Sequence, residues 1–387
     1  MSFRVLQVIP SLGYGGAETG CYDIAHYLAE KGCKSYIITS GGPLIKYIDK
    51  KKVKLIRLPV QSKNPILIFF NTIILVMIIS LLRINIVHAR SRAPAWSCLI
   101  ACKITRRKFV TTFHGTYNFK NSIKKFYNSV MVKSDLIIAG SNFIFSHINE
   151  NYSNYLNKNQ KLLTIFRGIN LEYFDSSKIK SEDESNLMTE WKIDQTLSFY
   201  QKKIILFPGR ITSWKGHEMF IESLNIFKQK NPDKLFFAII LGSDQGRKIY
   251  KKKIQRLIEQ YRLIKDILFI DNCEKMPLAY KIANIVINCS IEPEAFGRVA
   301  VEAQAMEKVI VASDIGGSKE TIIDNKTGFL FKAGDPIALS DKLAHIFELD
   351  ETTLKSMAIE GRKNVIKKFN VEKMCFSTYS EYIKLIS

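Results

Sequence analysis

Two cationic side chains follow a short apolar run in the second half of the chain. Gly209 and Arg210 come just after the run 203–207, and Lys215 follows a few residues later. Because short apolar runs predict buried strands, both cations are expected at the carboxyl edge of a sheet. A guanidinium and an ammonium group presented together are typical of a diphosphate site.

Two carboxylates come further along the chain, in the segment EPEAFGRVAVEA. Glu294 precedes a helix predicted to start near Gly297, and Glu302 lies in the second turn of that helix. Carboxylates accept hydrogen bonds, so Glu294 suits sugar hydroxyls and Glu302 suits a ribose diol. Backbone amides near Gly297 suit phosphate oxygens. Each feature alone also fits a surface ion pair or a solvated helix face, but their order in one chain favours a nucleotide-sugar site.

A glycine cluster near the start of the chain, GYGGAE at 13–18, lies between a predicted strand and a predicted helix. Backbone amides and the helix dipole at such a turn bind anions. The spacing is not G-x-G-x-x-G, and the second strand ends at 39–42 without an acidic residue, which disfavours NAD. The cluster therefore predicts contact with a phosphate or substrate, with tight packing as the alternative.

A basic and aromatic segment follows the predicted strand 84–88. Arg90 and Arg92 precede Trp96 and are expected at the carboxyl end of this strand. Two arginines beside an aromatic ring could bind an anionic sugar or a lipid-sugar head group. Alternatively, the arginines join surface ion pairs while the indole packs in the core.

The elements that must position these residues alternate between strands and helices in two rounds. A polar segment at 176–196 separates the rounds and predicts a first domain at 1–180 and a second at 197–370. This alternation predicts an α/β protein with two doubly wound, Rossmann-like parallel sheets facing one another. The predicted strands are 3–9, 35–39, 84–88, 109–113, 136–139, 203–207, 235–241, 267–270, 285–288, 309–312 and 328–331.

The positive charge is concentrated in the first half of the chain. The net charge of the 387 residues is +21. Residues 1–180 hold 26 Lys and Arg against 8 Asp and Glu, giving +18, whereas residues 181–387 hold 31 against 28, giving +3. A Lys-rich proteome would raise the charge in both halves, so the asymmetry favours a polyanionic partner for the first half.

The cysteines and the first residues bear on the cellular compartment. The seven cysteines form no C-x-x-C pair, which argues against a disulfide framework or a zinc site and suits a reducing cytoplasm. The first residues, MSFRVLQVIPSLGYGG, do not show a signal-peptide pattern. A cytoplasmic location is therefore expected.

One segment, 64–82, has nineteen residues without a charge. As a helix it would be about 28 Å long, enough to cross a bilayer. Crossing would separate two parts of one predicted sheet, which disfavours a true span. The segment is apolar nearly all round, so an interfacial helix is also favoured over burial in the fold or an oligomer contact. With the charge of the first half, this predicts peripheral association with an anionic membrane surface.

The motifs as a set resemble one known family. GYGGAE, GRITSWKG, ILGSDQG, EPEAFGRVAVEAQAM and SDIGGSKETIIDNKTGFL are similar to those of the retaining glycosyltransferases of family 4, or glycosyltransferase group 1, which have the GT-B fold. The resemblance implies a nucleotide-sugar donor on the second domain, with UDP favoured over GDP or ADP, and an acceptor on the first domain. It also implies that no metal or other cofactor is required, and that a C-terminal helix, 371–387, crosses back to the first domain.

The resemblance also implies roles for individual residues. His114, Glu294, Arg210 and Lys215 would be catalytic: the two cations neutralise the leaving diphosphate, Glu294 holds the sugar, and His114 lies beside it. An alternative for His114 is a bond to a backbone carbonyl. Retention would proceed by same-face attack, with double displacement by Glu294 as the alternative. The residues placed at the donor are Gly15, Gly16, Gly209, Arg210, Lys215, Glu294, Phe296, Gly297, Arg298, Val299 and Glu302, and those placed at the acceptor are Glu18, Arg90, Arg92 and Trp96.

The chain departs from the family pattern at two positions. Arg167 stands where many members have the Asn of Asn-Gly-Ile-Asp, and it would add either a phosphate contact or a surface charge. Glu307 stands where the family usually has a helix-ending glycine, so a strained positive φ is expected there.

The predicted function is transfer of a sugar from a nucleotide sugar to a membrane-associated glycan or lipid, in lipopolysaccharide or envelope polysaccharide synthesis. The expected place is the inner face of the cytoplasmic membrane. A sugar-nucleotide epimerase or hydrolase of the same architecture is the nearest alternative. A basic nucleic-acid-binding protein is another, although the sequence shows no nucleic-acid motif, and no nucleic-acid partner is expected.

Overall fold

The computed structural model describes residues 3–117, 119, 121–194, 196, 199 and 201–387. Contacts within the chain divide it into two units, one formed by 1–168 with 371–387 and the other by 169–370. Each unit is built on one parallel sheet, so the predicted class of two doubly wound sheets is confirmed.

The sheet of the first unit has the strand order β3-β2-β1-β4-β5-β6-β7, with every pair parallel. Its central strands are apolar and buried on both faces, as parallel strands covered by helices must be. The strands are β1 Arg4–Val8, β2 Lys34–Thr39, β3 Val53–Arg57, β4 Ile86–Ala89, β5 Lys108–Phe113, β6 Leu136–Ala139 and β7 Lys161–Thr164. The helices between them are α1 Gly16–Glu30, α2 Pro65–Leu81, α3 Arg92–Thr105, α4 Ser122–Asn128 and α5 Asn142–Tyr152.

The sheet of the second unit has the order β10-β9-β8-β11-β12-β13, again with parallel pairs. The strands are β8 Lys203–Pro208, β9 Phe236–Leu241, β10 Ile267–Ile270, β11 Ile285–Asn288, β12 Val309–Ser313 and β13 Phe329–Phe331. The helices are α6 Ser181–Glu190, α7 His217–Lys230, α8 Lys248–Gln260, α9 Met276–Ile282, α10 Arg298–Ala305, α11 Ser318–Thr321, α12 Pro336–Glu348 and α13 Glu351–Lys368. Short 3-10 helices occupy Pro43–Tyr47, Ser129–Val132, Ser153–Tyr155, Ser176–Lys178 and Ser213–Lys215.

The division between the units differs from the boundary expected from the polar segment 176–196. Residues after Gly168 pack within the second unit: the ring of Phe174 meets that of Tyr280 edge-on at 6.1 Å, and Asp175 lies 3.7 Å from Arg362. The polar segment is not only a linker, since it contains helix α6, whose first turn is acidic as the helix dipole favours.

Two edge strands, β3 and β7, are absent from the sequence prediction. Each is short and half exposed, with charged residues among the apolar ones, so neither gives the continuous apolar run of a central strand. The remaining strands lie where the sequence predicts them, to within about two residues.

The last helix, α14 Val371–Ile386, lies where the family resemblance implies a C-terminal helix, and it completes the core of the first unit. Its buried face carries Met374 and Tyr382, which pack in one cluster with Phe3 and Val5 of the sheet. The Tyr382 hydroxyl and the Nδ1 atom of the buried His88 are joined by a hydrogen bond. Burial raises the pKa of Tyr382 and lowers that of His88, so both groups are neutral in this bond.

We expect Tyr382→Ala to lower the free energy of unfolding of the first unit by about 3–5 kcal/mol, because it empties a fully buried ring position. Tyr382→Phe should cost about 1–3 kcal/mol, since it removes only the hydroxyl partner of His88. Phe376→Ala, on the exposed face of the same helix, is the matched control and should change the value by less than about 0.5 kcal/mol. Urea denaturation followed by circular dichroism measures all three. Equal effects of Tyr382→Ala and Phe376→Ala would contradict this packing.

Candidate functional site

In the second unit, the predicted donor residues follow two neighbouring strands at the centre of the sheet. Arg210 and Lys215 follow β8, and Glu294 follows β11, which pairs with β8. Strand order reverses at this pair, because β9 lies on one side of β8 and β11 on the other. In open parallel sheets, ligands bind at the carboxyl ends of the strands at such a reversal.

Lys215 and Glu294 form an ion pair that is largely withdrawn from water. The Lys215 Nζ atom lies 2.7 Å from Glu294 Oε1, and their side chains are only 7% and 12% exposed. Ser290 also donates its hydroxyl to Glu294 Oε1, at 2.6 Å. Burial alone would raise the pKa of Glu294, but the Lys215 charge and these hydrogen bonds outweigh it and lower that pKa. Glu294 is therefore ionised at neutral pH.

The position of Lys215 depends on the glycine that follows it. Gly216 has φ +80, and a Cβ there would collide with the carbonyl oxygen of Cys289, at the end of β11. Only glycine allows this conformation together with this close approach. The 3-10 turn that carries Lys215 can therefore lie against the strand that leads to Glu294.

Arg210 differs from Lys215 in being exposed to solvent. Its guanidinium carbon lies 5.9 Å from the centre of the Trp214 ring, and Lys215 Nζ lies 4.7 Å from the same centre. The Trp214 ring therefore lies near the cations of both Arg210 and Lys215, and the electrostatic attraction between a cation and an aromatic ring favours these two contacts. Trp214 was not among the predicted site residues, although it stands inside the motif GRITSWKG.

Helix α10 begins a few residues after Glu294. Gly297 is its N-cap residue, at φ +77, and has no side chain that could accept a hydrogen bond from the first amides. Arg298 and Val299 lie in its first turn, and Phe296, just before the helix, is buried. The expected helix start near Gly297, with Glu302 in the second turn, is confirmed.

Glu302 is buried, and both of its carboxylate oxygens have partners in the protein. Tyr280 donates its hydroxyl to Oε2 at 2.7 Å, and Arg298 Nε lies 2.5 Å from Oε1. The Tyr280 bond joins helix α10 to helix α9, whereas the Arg298 bond lies within α10. The sequence carried no signal for Tyr280, because a tyrosine in an apolar helix gives no indication of which carboxylate it will meet.

In the first unit, the glycine cluster lies where the sequence predicts it, between β1 and α1. Gly15 is the N-cap residue of the helix, and Gly16 begins it. Glu18 lies in the first turn, and its carboxylate folds back to the place where a Cβ of Gly15 would stand. The acidic side chain therefore occupies the helix end at which an anion was expected.

His114 and Arg167 come together at the carboxyl edge of the first sheet. Arg167 donates from Nη2 to Nδ1 of His114, while the Nε2 atom is buried with no hydrogen-bond partner among the described residues. Burial and the charges of Arg167 and Arg90 hold the pKa of His114 well below its usual value. The alternative for His114 was a hydrogen bond from the ring to a backbone carbonyl. Among the described residues, the ring does not make that bond.

Arg90, Arg92 and the indole N–H of Trp96 donate hydrogen bonds to neutral groups in the described structure. Arg90 is 4% exposed and donates from Nε and Nη2 to the side-chain oxygen of Gln7. Arg92 donates to Asn128 at 2.8 Å, and the Trp96 indole donates to the Tyr127 carbonyl at 3.1 Å. Surface ion pairs were the alternative for these arginines. Among the described residues, neither Arg90 nor Arg92 forms an ion pair with a carboxylate.

Helix α2 exposes many of its apolar side chains and buries Asn71 and Thr72 together with Leu75 and Ile79. Asn71 and Thr72 are 3% and 6% exposed, and they donate to the carbonyls of Pro59 and Ile68. The side chains that are exposed by 37% or more are Ile66, Leu67, Phe69, Phe70, Ile73, Met77 and Leu81.

An apolar groove of about 450 Å³ lies between α2 and α3. It is lined by side chains of both helices, including Ile100 and Ile104 of α3. No described helix is both long enough and apolar enough to cross a bilayer. We refer to the exposed side chains of α2, together with this groove, as the α2 surface.

Family models match both halves of the chain. The model of glycosyltransferase family 4 matches residues 14–173, and that of glycosyl transferases group 1 matches residues 189–364. A D-inositol 3-phosphate glycosyltransferase from Corynebacterium glutamicum is 30% identical over 155 residues, 40% of this chain and 37% of that protein. This match thus spans well under half the length of the relative.

Solved structures match over the whole chain. A glycosyltransferase from Rickettsia africae is 36% identical, covering 100% of this chain and 99% of its own, with a TM-score of 0.89. Anabaena HepE in complex with UDP and glucose is 19% identical, covering 99% and 100%, with a TM-score of 0.80, which shows a shared fold. With its two Rossmann-like units, the chain therefore belongs to the GT-B glycosyltransferases of family 4 and group 1.

Proposed function

We propose that the chain transfers a sugar from a nucleotide-sugar donor held by the second unit. The observation that carries this proposal is the buried Lys215–Glu294 pair, with Arg210 nearby in sequence, at the reversal of strand order and ahead of helix α10. An ammonium has three donors and Glu294 takes one, so Lys215 keeps donors for a diphosphate. The UDP and glucose bound to Anabaena HepE support a uridine donor.

We propose that transfer retains the anomeric configuration. The acceptor oxygen forms its bond to the anomeric carbon on the face that the diphosphate leaves, and a leaving phosphate oxygen takes the acceptor proton. Arg210 and Lys215 stabilise the charge that develops on the diphosphate. Glu294 already accepts two hydrogen bonds on Oε1, which makes it a poorer nucleophile and supports this course over double displacement.

Donor binding can be tested at Arg210, because this side chain is exposed and its removal leaves no buried charge unpaired. Arg210→Ala should weaken UDP binding by about ten- to a hundredfold, the usual loss for a charge-assisted contact. Arg256→Ala removes an exposed arginine elsewhere in the same unit and should leave the affinity unchanged. Calorimetry with UDP, GDP and ADP measures the effect and the base preference. Equal UDP affinity of the wild-type and Arg210→Ala proteins would remove Arg210 from the site.

The course of the reaction can be read from the product. With UDP-α-glucose and a panel of acceptors, NMR should show an α-linked product, formed at the same rate with and without EDTA. A β-linked product would contradict retention, and loss of turnover with EDTA would contradict metal independence. Glucose release or epimerisation without any acceptor would identify the hydrolase or epimerase alternative.

We propose that the acceptor is a lipid-linked or lipopolysaccharide-type glycan at the cytoplasmic face of an anionic membrane. The α2 surface supports this, because a bilayer interface buries exposed apolar side chains that water does not favour. The surrounding charge supports it as well: residues 50–134 contain 17 Lys and Arg and no Asp or Glu. The Corynebacterium relative, named for a phosphorylated inositol acceptor, makes a small phosphorylated polyol the alternative.

Membrane binding can be tested by liposome flotation. The wild-type protein should float with anionic vesicles at low salt and less with neutral ones, because each basic residue near the surface contributes about 1 kcal/mol that salt screens. The double variant F69S/M77S should weaken flotation with both kinds of vesicle, since it removes exposed apolar area from the α2 surface.

The matched control is I249S/I264S, which removes two exposed apolar side chains from the second unit and should float as the wild type does. If the wild-type protein floats with neither kind of vesicle, the membrane proposal is wrong. The α2 surface would then be a contact with another protein copy.

A further inference from the structure

A small pocket lies within the first unit, at the carboxyl ends of its strands. It is bounded by the start of α1, by residues at the ends of β4, β5, β6 and β7, and by helix α14. Arg90, His114 and Arg167 supply its polar wall, and Thr112 and Thr378 add hydroxyl groups. None of the described residues that line it is acidic. The pocket is thus lined by two cations and by hydrogen-bond donors.

The proton of His114 is directed away from Arg167. Because Arg167 donates to Nδ1, that atom must carry a lone pair, and the proton of the neutral ring is therefore on Nε2. This N–H is buried without a partner among the described residues, whereas nearly all buried polar groups in folded proteins have one. A buried donor of this kind, in a pocket with two guanidinium groups, fits an acceptor atom supplied by a ligand.

Two glycines lie beside the guanidinium groups. A Cβ at Gly140 would lie 3.5 Å from Arg167 Nε, and a Cβ at Gly20 would lie 4.0 Å from Arg90 Nη1. Arg90 is oriented by its two bonds to Gln7, which leave Nη1 on the side of Gly20.

We propose that this pocket binds a phosphate monoester on the acceptor substrate, with Arg167 and Arg90 as the cations and His114 Nε2–H as a further donor. The proposal rests on the proposed transferase function and names the acceptor group of that reaction. Guanidinium groups match the geometry of phosphate oxygens and keep their charge at every physiological pH. The chemistry is shared with the donor diphosphate, so the test must separate the two sources.

Calorimetry with glycerol 3-phosphate, glycerol and UDP separates them. Glycerol 3-phosphate should bind the wild-type protein, in the presence and absence of UDP, and glycerol should not. Arg167→Gln should weaken glycerol 3-phosphate binding about tenfold or more and leave UDP affinity within about twofold. Arg57→Gln, at an exposed arginine at the end of β3 in the same unit, should change neither.

Several results would overturn the proposal. Equal binding of glycerol 3-phosphate by the wild-type and Arg167→Gln proteins would remove Arg167 from the site. Displacement of glycerol 3-phosphate by UDP, or a loss of UDP affinity in Arg167→Gln, would assign the pocket to the donor. Absence of UDP binding with intact glycerol 3-phosphate binding would instead count against the proposed function alone.

A second measurement requires no variant and so does not depend on the folding of Arg167→Gln. In the wild-type protein, the ring nitrogen resonances of His114 should shift when glycerol 3-phosphate is added and should stay fixed with glycerol. Unchanged resonances at saturating glycerol 3-phosphate would exclude contact between His114 and the phosphate.

Discussion

The constraint on which both halves of the molecule depend is the reversal of strand order at the centre of each parallel sheet. In both sheets the chain builds outward from its first strand in one direction and then returns to build in the other, between β1 and β4 and between β8 and β11. Helices leave these neighbouring strands on opposite faces, so their carboxyl ends are open to a ligand. The glycine cluster, Arg90, Lys215 and Glu294 all follow one of these four strands.

The Lys215–Glu294 pair illustrates how a site residue is held in such an opening. Withdrawing two charges from water is costly, and an ion pair of this kind adds little net stability compared with apolar residues of the same size. Its value lies in geometry, because the ammonium is fixed by Glu294 and Gly216 before a ligand arrives. Less ordering of Lys215 is then required on binding, which favours affinity.

The sequence predicts those features that depend on local pattern. Buried central strands and the start of α10 follow from apolar runs and glycine positions. The C-terminal helix and the positive φ at Glu307, which is +55, follow from the family resemblance. The edge strands β3 and β7 escape prediction, because their exposed residues break the apolar run. The contacts of Glu302 with Tyr280 and of His114 with Arg167 also escape it, since both join residues that only the tertiary fold brings together.

Helix α14 has a consequence for the order in which the protein folds during synthesis. The core of the first unit includes Met374, Cys375 and Tyr382, which leave the ribosome after every residue of the second unit has been made. Part of the apolar surface of the first sheet therefore stays exposed while residues 169–370 are synthesised. The core of the first unit is therefore completed last, when α14 packs against residues from the start of the chain. A nascent chain halted before α14 would expose β1 and α1 to chaperones.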